Sequence, residues 1–460
     1  MEIDVVTITG PKVVELRRCR AAPCGDGEAL VAIKAVGVCA TDVELFDGTM
    51  GYYHSGLSRF PLVPGHEWAG EVLELGPRVP EHLRVGQRVV GEHCTGCEPI
   101  EEEISARCRI CCRPGGLLRC PRRKETGFFG REGAFQTVLR FPARQLHVLP
   151  PETPWDLAVL AEPLATACKA VRLADLAKVD NSRVVVVGDG AVGLLLLQLL
   201  LTSSAQRLRV ALLGAQAARL QRAQALGAEL AWDVAVPGVQ TALTEEGELP
   251  SLVFEAAGTP SAVKLAVSVC APGGTVVLLG LSGNLPVELC TDKVVLRQLT
   301  LRGSLSSEPE DWLRVREILS LGCLTSVVTH VFEGLQAYET AIEHVRRPEA
   351  SYPHRAPLDS MFRFALLAAL FALSRADSQE FLGAAAKIDV SEGQAKPEVQ
   401  VTSEVTDASA AAARVSVSEA KEIDLNAVEN PYLATGATAE CLALIFMIVA
   451  CVICYLECCK

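Results

Sequence analysis

Basic residues are in deficit in this chain. Its 43 lysines and arginines stand against 55 aspartates and glutamates, for a net charge of −12. A nucleic-acid binder needs a basic face to meet phosphates, so that class is excluded. The first residues, MEIDVVTITG, carry acidic groups and no apolar run behind a basic start. That excludes a secretory signal there and points to a cytosolic, reducing compartment. No internal repeat is present, which sets aside solenoids and propellers. Cysteine is plentiful but uneven: of 18, six lie between Cys94 and Cys120 and five between Cys441 and Cys459. In an enzyme-like chain such clusters read as metal sites sooner than as a disulfide framework.

At 460 residues the chain suits two to four domains. Residues 1–155 are rich in valine, glycine and proline, with short apolar runs such as Ala29–Val36 and Arg88–Gly91. Runs broken by turn residues predict a β-rich, barrel-like domain. Over 156–299, apolar runs ending in glycine (Val184–Gly188, Val210–Gly214, Leu252–Gly258, Thr275–Gly280) alternate with helical stretches such as Leu194–Leu201 and Arg219–Leu226. That alternation predicts βαβ units and a parallel sheet. Residues 300–355 lose the alternation and are expected to return to the first domain.

The glycine-rich turn RVVVVGDGAVG places Gly188, Gly190 and Gly193 in a GxGxxG pattern, with Val192 inside it. Alone the pattern is weak. Here an apolar strand precedes it and a leucine-rich helix follows, which is the context a dinucleotide site needs. Gly188 permits the tight turn, Gly190 lets the backbone approach a pyrophosphate, and Gly193 lets helix and strand pack closely. At the end of the next strand an acidic side chain ordinarily binds the ribose hydroxyls. This strand ends at Gly214, no carboxylate follows until Glu229, and Arg219 lies five residues on. The reading leans to NADP, with NAD as the alternative and Arg219 as an ordinary exposed helix residue.

Three segments carry metal-binding side chains: GVCATD at 37–42, GHEWAG at 65–70 and AEPLA at 161–165. They supply Cys39, His66, Glu67 and Glu162. Each residue alone is more often structural, since a lone cysteine is usually a small core residue. Together they offer the sulfur, nitrogen and oxygen donors of a catalytic zinc site, which keeps one position open.

With CATD, GHEWAG, AEPLA and GDGAVG in this order, the chain resembles the zinc-containing medium-chain dehydrogenases, in particular the threonine, sorbitol and glucose dehydrogenase branch. The resemblance extends to FEAAG (Phe254–Gly258), GGTVVLLG (Gly273–Gly280) and LRGS (Leu301–Ser304), and ends near residue 350. It implies a GroES-like β-barrel catalytic domain over 1–155, completed by 300–355, and a Rossmann doubly wound parallel sheet over 156–299. It further implies Cys39, His66 and Glu67 as zinc ligands, with Glu162 binding the metal directly or through water. Thr41 matches the hydroxyl that relays the substrate proton, and Asp42 the carboxylate that orients the histidine ligand. Glu44 replaces a histidine seen in some relatives, which leaves the last relay step open. Relatives are homo-oligomers.

The family often carries a structural zinc in a Cys-x2-Cys-x2-Cys-x7-Cys loop. Here Cys108 and Cys111 keep one spacing while Cys112 and Cys120 keep another, and an acidic insert, Glu98–Arg107, follows Cys97. The expected ligands are Cys97, Cys108, Cys111 and Cys120, with Cys112 as substitute for Cys111 and Cys94 as a further alternative. A lobe that has lost its metal also fits.

The resemblance does not reach 357–460. Met361–Ala376 is like a secretory signal in isolation, with Arg363, an apolar run Ala365–Leu373 and small residues at Ser374 and Ala376. From Asp377 to Glu440 the sequence is acidic and nearly free of aromatics, which predicts a disordered linker. Cys441–Leu456 is an uninterrupted apolar segment. At about 1.5 Å per residue it reaches roughly 24 Å, short of the roughly 30 Å hydrocarbon core. It is a candidate transmembrane segment, with Cys458 and Cys459 as acylation candidates. A tail anchor on a cytoplasmic catalytic part, a junction of two unrelated reading frames and helices docked on the enzyme all remain open.

The leading functional expectation is zinc-dependent hydride transfer between NAD(P) and a secondary alcohol: a polyol, sugar, cyclitol or amino alcohol. The alternatives are a non-catalytic, membrane-tethered nucleotide or metal binder and a zinc-free quinone reductase of the same fold.

Overall fold

The computed structural model describes residues 1–96, 110–111, 113, 115–176, 179, 183–202, 208–244, 249–283 and 285–346, and three short strands beyond them. Residues 1–351 form one compact unit and 352–460 another.

The first part of the larger unit is antiparallel. Its main sheet has five strands in the order Leu146–Val148, Arg88–Gly91, Trp68–Leu75, Glu28–Val36 and Val138–Pro142. A hairpin, Glu2–Gly10 with Val13–Arg20, accompanies it. Trp68, Phe141, Leu139, Val72 and Val89 fill the interior. In the pairing of Glu28–Val36 with Trp68–Leu75 the register shifts twice, between Leu30 and Val31 and between Ile33 and Ala35. Such shifts bend a strand and commonly re-aim its end near a functional site.

The second part is a six-stranded parallel sheet, ordered Leu230–Asp233, Arg209–Gly214, Arg183–Val187, Leu252–Glu255, Thr275–Leu278, Thr300–Gly303. The order reverses direction at Arg183–Val187, the switch point where open α/β sheets bind ligands. All five residues of that strand are buried. Parallel strands covered by helices on both faces read as continuous apolar runs, and RVVVV does. The following helix, Ala191–Thr202, buries six leucines between Leu194 and Leu200; burial of each is worth about 2 kcal/mol over exposure. Both expected architectures are present. One boundary differs: Thr300–Gly303, in the stretch assigned to the barrel from sequence, is the edge strand of the parallel sheet. The run TLRG was too short and too polar to show this. The expected return to the barrel comes later, where Tyr338 and Ile342 pack on Val6, Ile8 and Phe46.

In the smaller unit, Lys387–Ile388, Val399–Glu404 and Ala412–Val417 form a three-stranded sheet. The stretches VQVTSE and AARVSV alternate in polarity, which is the local signal of a strand. The segments Met361–Ala376 and Cys441–Leu456 lie outside the described residues. Among the described residues no helix is long and apolar enough to cross a membrane.

Candidate active site

Strand register brings the first metal-binding residues together. Val36 pairs with Trp68, and just beyond the pair the Gly37 amide donates to the Glu67 carbonyl at 2.7 Å. The chain therefore leaves one strand at Cys39 beside the point where it enters the other through His66 and Glu67. A side chain at position 37 would collide with the Glu67 carboxylate, so the glycine clears space for it. Cys39 caps the helix Ala40–Asp47, and the Asp42 carboxylate accepts from the Cys39 amide at 3.0 Å. Glu162 arrives on the first turn of the helix Ala161–Ala174, where a negative charge suits the helix dipole. Leu160, Ala161 and Leu164 pack in one core with Ala69 and Val90, which sets the start of that helix against the barrel.

Cys39 Sγ lies 3.5 Å from His66 Nε2, and His66 Nε2 lies 3.9 Å from Glu67 Oε1. Donor atoms of His66, Glu67 and Glu162 all fall within 4.8 Å of one another, as do those of Cys39, Asp42 and His66. Tetrahedral zinc with bonds of about 2.3 Å to sulfur and 2.0 Å to nitrogen separates those two donors by about 3.5 Å. The Cys39–His66 pair fits such an ion, and Glu67 and Glu162 lie with His66 within 4.8 Å. On the far side of the ring, Asp42 Oδ1 stands 3.6 Å from His66 Nδ1. At that distance the carboxylate acts on the ring through its charge, on the side where a histidine ligand's second nitrogen ordinarily finds its partner.

The protonation of the cluster supports the same fit. Burial pushes the Cys39 thiol up to about 11, with Asp42 and Glu67 adding to the shift and His66 opposing it. Burial also pushes Glu67 up to about 8; His66 opposes and Glu162 reinforces this. For His66, burial pulls downward, but the charges of Cys39 and Asp42 prevail and hold it well above its usual value. A buried group of anionic donors that clings to protons is one in which a cation would replace them. Thr41 sits partly buried in the first turn of the capped helix. Burial raises Glu44.

Sequence reading missed a second cluster. His93, Cys94 and Glu125 are buried, with donor atoms within 4.8 Å of one another. The His93 ring lies 5.2 Å from that of His66, and Phe128 touches both. Glu125 pairs with Arg123 at 2.9 Å and accepts from the Tyr52 hydroxyl at 3.3 Å. These residues sit in a lobe whose cysteines drew attention instead, and nothing in the local spacing marks them. Cys94, offered from sequence as a structural-zinc alternative, lies in this cluster, its sulfur 3.3 Å from Ser306 Oγ. Cys111 and Cys120 are described, whereas Cys97, Cys108 and Cys112 lie outside the described residues.

The glycine-rich turn has the expected form. Gly188 has φ 124°, and a side chain at Gly193 would strike the Gly188 carbonyl. Gly190 and Val192 stand at the start of the leucine-rich helix. Between the first two glycines, Asp189 accepts from the amides of Ala215 and Gln216 at 2.9 and 2.7 Å. Arg219 Nη1 is 3.7 Å from Asp189 Oδ1. The sequence had offered Arg219 to a phosphate and left Asp189 out.

Comparison with known proteins accords with this geometry. The families described as "Alcohol dehydrogenase GroES-like domain" and "Zinc-binding dehydrogenase" match residues 25–151 and 191–320. A D-arabitol-phosphate dehydrogenase from Enterococcus avium is 27% identical over 301 residues, covering 65% of this chain and 81% of the relative. An L-threonine 3-dehydrogenase from Shewanella frigidimarina is 27% identical over 314 residues, covering 67% and 86%. Among solved structures, a short chain alcohol dehydrogenase from E. coli CFT073 complexed with NADH superposes with a TM-score of 0.66 at 25% identity, covering 76% of this chain and 96% of that one. A putative zinc-binding dehydrogenase from Sinorhizobium meliloti bound to NADP gives 0.62 at 26% identity, covering 71% and 90%.

Proposed function

We propose that this chain, which belongs to the zinc-containing medium-chain alcohol dehydrogenase family, carries out its NAD(P)-dependent alcohol oxidation at Cys39, His66, Glu67 and Glu162. The observation that carries the assignment is that donor atoms of His66, Glu67 and Glu162 gather within 4.8 Å of one another, with Cys39 Sγ 3.5 Å from His66 Nε2. Bound there, zinc would supply the Lewis acidity that lowers the pKa of an alcohol hydroxyl and polarises a carbonyl. Asp42 holds the His66 ring in place. Thr41, two residues after Cys39, is the hydroxyl we assign to passing on the substrate proton, as the resemblance implies. Gly188, Gly190, Val192 and Gly193 would hold the dinucleotide, which when bound would supply the hydride acceptor. The domain division follows the same reading: a barrel over 1–155 completed near the end of the unit, and a nucleotide-binding sheet from 156 onward.

The substrate class we propose is a polyol, sugar, cyclitol or amino alcohol. The polar group His93, Glu125, Arg123 and Tyr52 next to His66 supports it, since polar side chains beside a reacting centre suit a substrate with hydroxyls or charges of its own. Relatives named for arabitol phosphate and threonine point the same way. The test is zinc per chain, measured with turnover of a panel of alcohols and both cofactors by the full-length protein. Stoichiometric zinc and selective polyol or amino-alcohol oxidation are expected. A protein free of zinc, or one oxidising only simple alkanols, would overturn the reading.

For the rest of the chain, composition alone supports attachment of a cytoplasmic enzyme to membrane through 441–456 with Cys458 and Cys459. The resemblance supports homo-oligomeric assembly and a structural zinc at Cys97, Cys108, Cys111 and Cys120. Membrane fractionation, light scattering and a second zinc equivalent test these in turn.

A further inference from the structure

The carboxylate missing from the end of the second parallel strand is supplied by the glycine-rich turn. A side-chain carbon at Gly214 would lie 2.5 Å from Asp189 Oδ2. The strand therefore ends in glycine where Asp189 already fills the space. Asp189 is 9% exposed, and its Oδ2 takes both amides that open the helix Ala217–Ala225. Its Oδ1 faces Arg219 at 3.7 Å. Two backbone amides at a helix start and one guanidinium make the cradle that a 2′-phosphate would need, and a carboxylate of this chain occupies it.

We propose that Asp189 is the residue that selects NAD over NADP, by accepting from the adenosine ribose hydroxyls and by denying the Ala215, Gln216 and Arg219 cradle to a 2′-phosphate. A phosphate brought to this point would meet a fixed negative charge a few ångströms away, with Arg219 already engaged. The ribose diol, in contrast, brings donors to the carboxylate's remaining lone pairs. This reverses the lean to NADP drawn from the missing acid and from Arg219. The carboxylate is present, carried by a different segment.

The inference rests on the reading of the turn as a dinucleotide site, so direct binding is the readout. NADH and NADPH are titrated by fluorescence into the full-length protein, Asp189→Asn, Arg219→Ala and the double variant, with circular dichroism to confirm folding. The wild type should bind NADH at least about 10-fold more tightly than NADPH, a difference of about 1.4 kcal/mol. Asp189→Asn should weaken NADH and strengthen NADPH, narrowing or inverting the ratio. In that background Arg219→Ala should remove the gain for NADPH. Wild type that prefers NADPH, or a ratio unmoved in a folded Asp189→Asn, overturns the proposal while leaving the dinucleotide site standing. Failure to bind either cofactor overturns both.

Discussion

The metal cluster and the glycine-rich turn occupy the same unit, yet they are built by opposite means. The cluster is an assembly of side chains from positions 39, 66–67 and 162, held by strand register and by one helix. The turn is largely backbone, six consecutive residues whose shape is fixed by Gly188 and Gly193. The first depends on long-range packing; the second depends on local conformation. The two should therefore fail independently.

Cys39→Ala tests that separation most severely. Zinc per chain should drop and turnover should fall by at least about 10³-fold, the scale expected when an essential reacting-centre group is lost. Affinity for reduced cofactor, read by fluorescence, should stay within about threefold. Loss of cofactor binding in a folded variant would break the comparison. Gly193→Val is the converse. The new side chain meets the Gly188 carbonyl, so cofactor Kd should rise by about 100-fold, roughly 2.7 kcal/mol, with zinc content unchanged by metal analysis.

Asp42→Asn sharpens the comparison within the cluster. Removing the charge behind His66 should weaken zinc binding by about 10- to 100-fold in a competition assay with a chelator. An unchanged affinity would make Asp42 merely a helix cap. The smallest effect is in pH. Burial lifts Glu67 from its usual 4.5 to about 8, so the folded, metal-free protein holds a proton that the unfolded chain releases. That contribution to stability is complete below about pH 4.5 and is lost as pH rises toward 8. The Tm of metal-stripped protein should fall by several degrees across this window. Zinc loading, or Glu67→Gln, should flatten the slope.

The same contrast explains what could be read before folding. The turn was legible because its signal is contiguous: an apolar strand, spaced glycines and leucines in one stretch of residues. The metal donors were legible as residue types, but only the pairing of Val36 with Trp68 explains how position 39 meets 66–67. Asp189, His93 and Glu125 escaped, because their meaning lies in what they face. Asp189 sits between two motif glycines, and its partners lie at 215, 216 and 219. Glu125 draws its role from Arg123, Tyr52 and His93. The strand Thr300–Gly303 was missed because an edge strand with four exposed residues lacks the apolar run that marks its neighbours.

The helix Ala161–Ala174 touches both architectures. Its first turn presents Glu162 to the metal donors, while further along Lys169 donates to the Leu305 carbonyl at 2.9 Å and Arg172 binds Asp311. A displacement along its axis by a single residue's rise, about 1.5 Å, would be enough to alter whether Glu162 reaches the ion. On the proposed ligand set, a shift of the nucleotide-binding half would reach the metal site along this helix, so the seating of that half and the number of donors offered to an ion would be coupled through Glu162.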